Sequence, residues 1–366
     1  MFLTFIFFIL VATTAIQLIY FFFFSSILFL KKEQQTPEEV PVSIIICAKN
    51  EEKNLKIFLP SVINQKYTHF EIVLINDAST DATLEVMESF KEQYTDIKIV
   101  NVKHNEAFWG NKKYALTLGI KAAKNDHLLF TDADCKPVSK YWIQSMAQDF
   151  SPKKTIVLGY GKYKAHNTLL NILVRFETLS TAIQYFSYAK LGSPYMGVGR
   201  NLGYKKSEFF KTNGFISHIQ VRSGDDDLFI QEAATKTNTT ISLDSKSFTI
   251  SNPPVTFKEW FRQKRRHIST SSYYTFKHKF FLGLYFISKL LFYFSAILLL
   301  FFMSWKLITL LLGIYIISLY LVFGLSAKRL QEKKLLLFFP ILDFSLLLFQ
   351  FTIFISNTFS KPTHWK

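Results

Sequence analysis

Apolar and polar positions divide the chain into three stretches. From Met1 to Leu30 there is no charged residue, a run longer than the roughly 20 apolar residues a helix needs to cross a bilayer. A cleaved signal peptide would show a basic start and a short apolar core. This stretch shows neither, so it reads as a retained anchor. Between about 41 and 250, short β-branched runs alternate with segments of helical period. "VSIIICA", "HFEIVLINDAST", "IKIVNV", "HLLFTDADC" and "KTIVLGYGKY" predict strands; "EEKNLKIFLPSVINQ", "DATLEVMESFKEQY" and "NKKYALTLGIKAAK" predict helices between the first of them. Such alternation gives an α/β fold, a Rossmann-type, mostly parallel sheet flanked by helices. Further on, apolar runs at 280–303, 307–325 and 335–357 each approach spanning length. The expected organisation is an anchor over 1–30, one folded domain over 31–279 and a membrane region of about three helices over 280–366.

Charge at the ends of these runs orients them. Lys31 and Lys32 follow the first, and Lys328, Arg329, Lys333 and Lys334 lie in "AKRLQEKK" between the last two. The positive-inside rule then puts the 31–279 domain in the cytoplasm of a multi-pass inner (cytoplasmic) membrane protein, with both termini outside. The first two C-terminal runs are joined only by "MSWK", so a single kinked or re-entrant element is an alternative. "FKHKFFLGLYF" could lie in the interface as an amphipathic lead-in.

Ligands bind parallel sheets at the carboxyl ends of the strands, and the polar residues gather there. The first strand ends in Lys49, Asn50, Glu51 and Glu52, the second in Asn76, Asp77 and, shortly after, Asp81, the fourth in Asp132 and Asp134. Any one cluster can be a helix cap, and Asp81 before "ATLEV" has that form. Three clusters on one sheet edge are better explained by a nucleotide-and-metal site. Asp77 can accept from a base N–H; Asp81 or Glu51 can hold a ribose hydroxyl or base edge. Asp132 and Asp134, two apart on a strand, share a face and repel unless a cation lies between them. That spacing calls for a divalent metal, with a cap on the turn at Lys136-Pro137 as the alternative.

Composition narrows the partners. The formal net charge is +16, and 49% of residues are hydrophobic, with 40 Phe. Basic excess suits nucleic acid, an anionic membrane or anionic substrates; apolar spans favour the last two, and no aromatic-basic motif supports nucleic acid. The two cysteines, Cys47 and Cys135, follow apolar runs and suggest neither a disulfide framework nor a zinc site.

With these residues in place the chain resembles a family 2 glycosyltransferase of GT-A fold. "VSIIICAKNEE", "IVLINDASTDAT", "NKKYAL", "TDADC", "GRNLGYKKSEFFKTNGF", "SGDDDL" and "QKRRH" occur in the family's order from about 41 to 270. The resemblance implies that Asp77 recognises the base, most often uracil, with Asn50, Glu51 and Asp81 nearby, and that Lys112 lies near the nucleotide. It makes Asp132 and Asp134 a DxD metal motif, Asp134 the more direct ligand, for Mg²⁺ or Mn²⁺. Such ions take oxygen ligands and stabilise a leaving diphosphate. Of the three acids in "SGDDDL", Asp226 is implied as the general base, Asp225 as second choice, Asp227 as a cap or salt-bridge partner; the plain alternative is acid matching a helix dipole. Asn201 is implied as a sugar contact. "QKRRH" matches a Q-x-x-R-W element at Gln263 and Arg266, with His267 in place of tryptophan, a departure that puts polymer synthesis in doubt. Arg262, Lys264, Arg265 and Arg266 fit a grip on phosphates or the charge of a membrane-facing surface.

The function this implies is a metal-dependent, inverting hexosyltransferase. It would move a sugar from a nucleotide-diphosphate sugar, UDP-linked by preference, to a lipid or lipid-linked saccharide, building glycolipid or cell-envelope polysaccharide. The alternatives are a processive polysaccharide synthase, a degenerate membrane scaffold that binds nucleotide sugar without turnover, and, more distantly, a nucleotidyltransferase.

Overall fold

A computed structural model of the chain describes residues 1–30, 39–103, 112–221 and 223–360. Lys31, Lys32 and Asn111, invoked above, lie outside the described residues. The chain divides into two compact units, one drawn from Lys32–Lys164 and Gly192–Pro253, the other from Met1–Lys31, Ala165–Leu191 and Pro254–His364.

In chain order the elements are α1 (Phe2–Phe24), β1 (Val42–Ala48), α2 (Glu52–Ile63), β2 (Phe70–Asp77), α3 (Thr83–Gln93), β3 (Ile97–Val102), α4 (Lys112–Ala122), β4 (His127–Phe130), β5 (Cys135–Pro137), α5 (Trp142–Ala147), β6 (Ile156–Leu158), β7 (Gly161–Tyr163), α6 (Leu169–Lys190), β8 (Leu202–Lys205), α7 (Lys206–Lys211), α8 (Asp227–Ala233), β9 (Thr239–Ile241), β10 (Thr249–Ser251), α9 (Phe257–Ser269), α10 (Phe276–Phe302), α11 (Trp305–Arg329) and α12 (Phe339–Phe359).

The sheet unit contains a seven-stranded sheet of order β3-β2-β1-β4-β8-β6-β9 and a small sheet of order β5-β10-β7. β1 runs parallel to both β2 and β4, and β2 parallel to β3; β8 is the antiparallel insertion between β4 and β6. β1 and β2 are buried along nearly their whole length, as expected of strands covered on both faces. Ile44, Ile46, Leu74 and Leu129 pack there against Leu55 and Leu59 of α2, Met87 of α3 and Trp142 of α5. Gly119 of α4 lies so close to the sheet that an added Cβ would come within 2.1 Å of Ile75.

Two sequence expectations change. The run "HLLFTDADC" is not one strand: β4 ends at Phe130, and the Cys135 N–H closes a turn on the Asp132 carbonyl at 3.1 Å. "KTIVLGYGKY" splits at Gly159-Tyr160 into β6 in the large sheet and β7 in the small one. The split falls where Asn201 presses against the backbone: a Cβ on Gly159 would stand 2.6 Å from its amide.

In the helical unit, Phe2–Phe29, Phe276–Phe302, Trp305–Arg329 and Lys333–Phe359 are long and apolar enough to cross a membrane. "MSWK" is a break between two separate helices, α10 and α11, and "FKHKFFLGLYF" is the start of α10 itself. Polar groups lock these helices together. The Gln17 amide donates to the Tyr285 carbonyl and Ser288. Asp343 of α12 accepts from Lys289 at 2.6 Å, Tyr293 at 2.9 Å and Tyr315 at 2.6 Å. α6 and α9 belong to this unit. Arg175 of α6 is paired with Glu332, and Glu177 with Lys264 of α9 at 2.6 Å. Trp260 of α9 lies flat on Phe349 of α12, ring centroids 3.8 Å apart.

Candidate active site

Parallel pairing brings the carboxyl ends of β1, β2 and β4 to one edge: Ala48 is opposite Asn76, and Ile45 opposite Phe130. The chain leaves β1 and β2 through Asn50 and Ala78, both at positive φ (57° and 48°), a conformation that non-glycine residues adopt sparingly and that marks constrained turns. The two turns are stitched together. Asn50 donates from its backbone to Ser79 and accepts from the Thr80 N–H at 2.8 Å. The Glu51 N–H donates to Thr83, and its carboxylate accepts from Asn54 at 2.6 Å. Asp81 accepts from the Thr83 N–H at 3.1 Å and the Glu52 N–H at 3.3 Å. Against a small burial penalty, these bonds hold its carboxyl below the ordinary range. Asp81 therefore does what a cap does. Asp77 differs: it is buried, and its carboxylate makes no side-chain hydrogen bond among the described residues. Burial raises its pKa, with Lys49 and Lys112 opposing. A buried carboxylate at the carboxyl end of β2 suits base recognition.

Asp132 and Asp134 converge through the turn after β4, not through strand alternation. One ligand atom each from Asp132, Asp134 and Cys135 lie within 4.8 Å of one another. Burial, then the charges of Asp132 and Glu51, push Asp134 up to about 6. This excess of negative charge is what a cation relieves. The Cys135 thiol is buried, pushed up, and 3.4 Å from Asp134 as a donor, so the oxygen donors suit a hard ion such as Mg²⁺ or Mn²⁺.

Lys112, at the first turn of α4, ties this turn to the acids of "SGDDDL". Its Nζ is 3.2 Å from Asp132 and 2.9 Å from Asp225. Against its burial, those two carboxylates hold it well above its ordinary range. The three residues line one cleft with Asp226, Gly199, Thr131, Cys47 and Tyr204, enclosing roughly 340 Å³ of space that includes its open mouth. Thr131 and Tyr204 carry no sequence signal that distinguishes them from core residues, and Cys47 reads from sequence only as a thiol in an apolar run.

The two candidate bases separate here. Despite burial, Asp225 is held below the ordinary range by Lys112. Asp226 caps α8, accepting from the Asp227 N–H at 2.8 Å and from the Gly199 N–H at 2.7 Å. Burial, then Asp225 and Asp227, raise it to about 7. A base works best with a pKa near the working pH, and Asp226 has it. Gly224, at φ 89°, makes the turn that presents the acids; a Cβ there would meet Leu228 at 2.6 Å.

Three sequence candidates remain: Asn201, Gln263 and Arg266. Asn201 is fully buried and takes no part in the cleft: it accepts from the Trp142 indole at 3.0 Å and donates to the Tyr160 and Ser247 carbonyls at 2.9 and 2.8 Å. Both its amide hydrogens and one carbonyl lone pair are used within the protein, so what holds this side chain is the fold and not the sugar contact expected from sequence. Its neighbour Arg200 lies over the Tyr163 ring, 4.4 Å from the centroid. Gln263 and Arg266 sit on α9 of the helical unit. In the same motif Lys264 is paired with Glu177, and Arg265 bonds Asn357 at 2.8 Å and Ser360 at the end of α12. Those two cations hold helices together.

Residues 43–207 match the model of glycosyl transferase family 2. A probable glycosyltransferase, YdaM, of Bacillus subtilis (strain 168) is 28% identical over 253 residues, 66% of this chain and 57% of that protein. A poly-beta-1,6-N-acetyl-D-glucosamine synthase of Staphylococcus epidermidis is 29% identical over 142 residues, 38% of this chain and 33% of the synthase. The chain thus spans between a third and somewhat over half of these relatives. Among solved structures, the mannosyltransferase PcManGT of Pyrobaculum calidifontis, in complex with GDP-Man and Mn²⁺, aligns with a TM-score of 0.60 at 17% identity, covering 91% of this chain and 97% of its own. That likeness agrees with the sheet order and flanking helices described above. The matched segment, which carries β1 to β4, Asp77, Lys112 and the DxD turn, is similar to glycosyl transferase family 2, and the fold is of GT-A type.

Proposed function

We propose that this protein transfers a hexose from a nucleotide-diphosphate sugar, UDP-linked by preference, to a lipid or lipid-linked saccharide at the cytoplasmic face of the membrane, with inversion at the anomeric carbon. The observation that carries it is Lys112, whose ammonium lies 3.2 Å from Asp132 of the DxD turn and 2.9 Å from Asp225 of the acid triplet. It brings to one cleft the carboxylates assigned in this reading to donor binding and acceptor activation.

In this mechanism Asp77 accepts from the base. Asp132 and Asp134 would hold a divalent ion, and such an ion would supply positive charge opposite a departing diphosphate. Asp226 takes the proton of the acceptor hydroxyl as that oxygen forms its bond to the anomeric carbon and the bond to the diphosphate oxygen breaks. No side chain needs to form a covalent intermediate, so the configuration inverts. Four apolar helices of spanning length in the same chain support a membrane-borne acceptor.

The similarity to a poly-beta-1,6-N-acetyl-D-glucosamine synthase favours, as the second reading, a processive synthase; product length tells single transfer from polymerisation. The first test is calorimetric binding of UDP and of GDP to the detergent-purified chain, with Mn²⁺ and with chelator, for wild type and Asp134→Asn. Metal-dependent binding of one nucleotide, lost in the variant, supports the donor site. Metal-independent or absent binding of both refutes it. Incorporation of labelled sugar from a panel of nucleotide sugars into a membrane lipid extract then identifies donor and acceptor class.

A further inference from the structure

The two lysines that open α4 have different partners. Lys112 meets the carboxylates of the cleft; Lys113 is 1% exposed and lies in the field of Asp225, Asp227 and Asp226. Its ammonium donates to the His218 carbonyl at 2.7 Å and the Val221 carbonyl at 3.0 Å, and lies 2.7 Å from His218 Nδ1. These groups belong to the turn that immediately precedes "SGDDDL". Burying an ammonium is expensive unless its protons are matched by acceptors, and burial does lower Lys113 to about 8. His218 is likewise pushed down to about 4, by burial and then by Lys113, so its ring is neutral and Nδ1 is free to accept. The buried charge is matched by carbonyls of a short 3-10 turn, Ile216–His218, and the residues just after it.

We propose that Lys113 is a positioning residue, an anchor that fixes the 218–221 turn to the start of α4 and so sets where Asp225 and Asp226 stand relative to Lys112 and the DxD turn. This rests on the transferase reading above. The physical reason is shared footing. Lys112 and Lys113 occupy consecutive positions of one helix, so the contact that neutralises Asp132 and Asp225 and the contact that holds the turn before Asp225 are braced by the same backbone. A base displaced by about 1 Å costs roughly 100-fold in rate without altering donor binding.

The test is Lys113→Met, which keeps an unbranched side chain one atom shorter and removes its donors. Wild type and variant are compared for sugar transfer and for calorimetric binding of Mn²⁺ with the nucleotide that the wild type accepts. Binding stoichiometry counts folded donor sites. The expected result is unchanged stoichiometry, nucleotide Kd within about twofold, and kcat reduced at least about tenfold, with part of the rate restored in Lys113→Arg. Equal kcat in Lys113→Met and wild type overturns the proposal, as does a fall in kcat that only tracks a fall in stoichiometry. If the Met variant does not fold, Lys113→Gln, which retains two donors, is judged by the same criteria. A wild-type chain that transfers no sugar sinks the transferase reading, and this proposal with it.

Discussion

Replacing Asn201 by alanine should cost the protein its stability rather than its affinity for sugar. The side chain is fully buried and bonded to the Trp142 indole, the Tyr160 carbonyl and the Ser247 carbonyl. Alanine leaves the indole N–H and the Ser247 carbonyl without that partner, at about 1–3 kcal/mol each. The Tyr160 carbonyl keeps a second bond, from the Thr249 N–H at 3.2 Å, so its loss is about 1 kcal/mol. The sum is about 3–7 kcal/mol, whose midpoint corresponds to a fall in melting temperature of roughly 10–20 °C for a unit of this size. Asn201→Asp should be worse. It keeps an acceptor for Trp142 but turns a carboxylate toward two carbonyls, burying a charge with no cation in contact. Thermal unfolding of the detergent-purified chain, followed by tryptophan fluorescence, reads both variants. The donor KM of the folded fraction reads the competing role. If Asn201→Ala melts with the wild type and instead raises the donor KM or changes the preferred sugar, the side chain faces substrate and this account of the knot is wrong.

Other perturbations test the cleft and the helical unit. Asp226→Asn should lower kcat by about 10²–10⁴ while Mn²⁺-nucleotide binding persists; a variant that keeps its rate removes Asp226 as the base. In the wild type, kcat should rise with pH through about 7 as Asp226 ionises. Because the native residue keeps a proton that an unfolded aspartate has already lost above about pH 4, its contribution to stability is complete below that value and declines as pH rises through about 7. Asp226→Asn should abolish both the acid limb and this decline. Lys112→Met should act oppositely on two ligands, each by roughly tenfold: Mn²⁺ alone binds more tightly, since no ammonium competes for Asp132, whereas nucleotide diphosphate binds more weakly for want of a cation. Changes of the same sign would show that Lys112 holds the fold and not the donor. Lys264→Met strands Glu177, whose side chain is 10% exposed, and should cost about 3 kcal/mol, most of it recovered by Glu177→Leu in the same chain; a variant that melts normally but binds nucleotide poorly would return Lys264 to phosphate binding.

What the sequence reveals depends on whether a residue's partners are local. β1 and β2 are legible because each is buried along nearly its whole length by an apolar run, β3 and β4 because short apolar runs alternate with helical segments, and the ends of such strands are where ligand chemistry collects. The DxD pair is legible by spacing, yet for a different reason from strand alternation: an i to i+3 turn bond joins Asp132 to Cys135 and gathers the carboxylates. α6 is illegible as part of the helical unit because Arg175 and Glu177 interrupt its apolar run, and only their partners, Glu332 and Lys264, explain their burial; both lie far along the chain. Asn201 sits in a stretch that carries family resemblance, but a polar residue there reads the same whether it meets a sugar or a buried indole. The "KK" of "NKKYAL" is the sharpest case. Consecutive helical residues point about 100° apart, so two identical side chains address different neighbours. One meets Asp132 and Asp225, the other the backbone of the turn before Asp225. Identity and spacing locate the pair; the division of labour between its members is set by the 218–221 turn, more than 100 residues away.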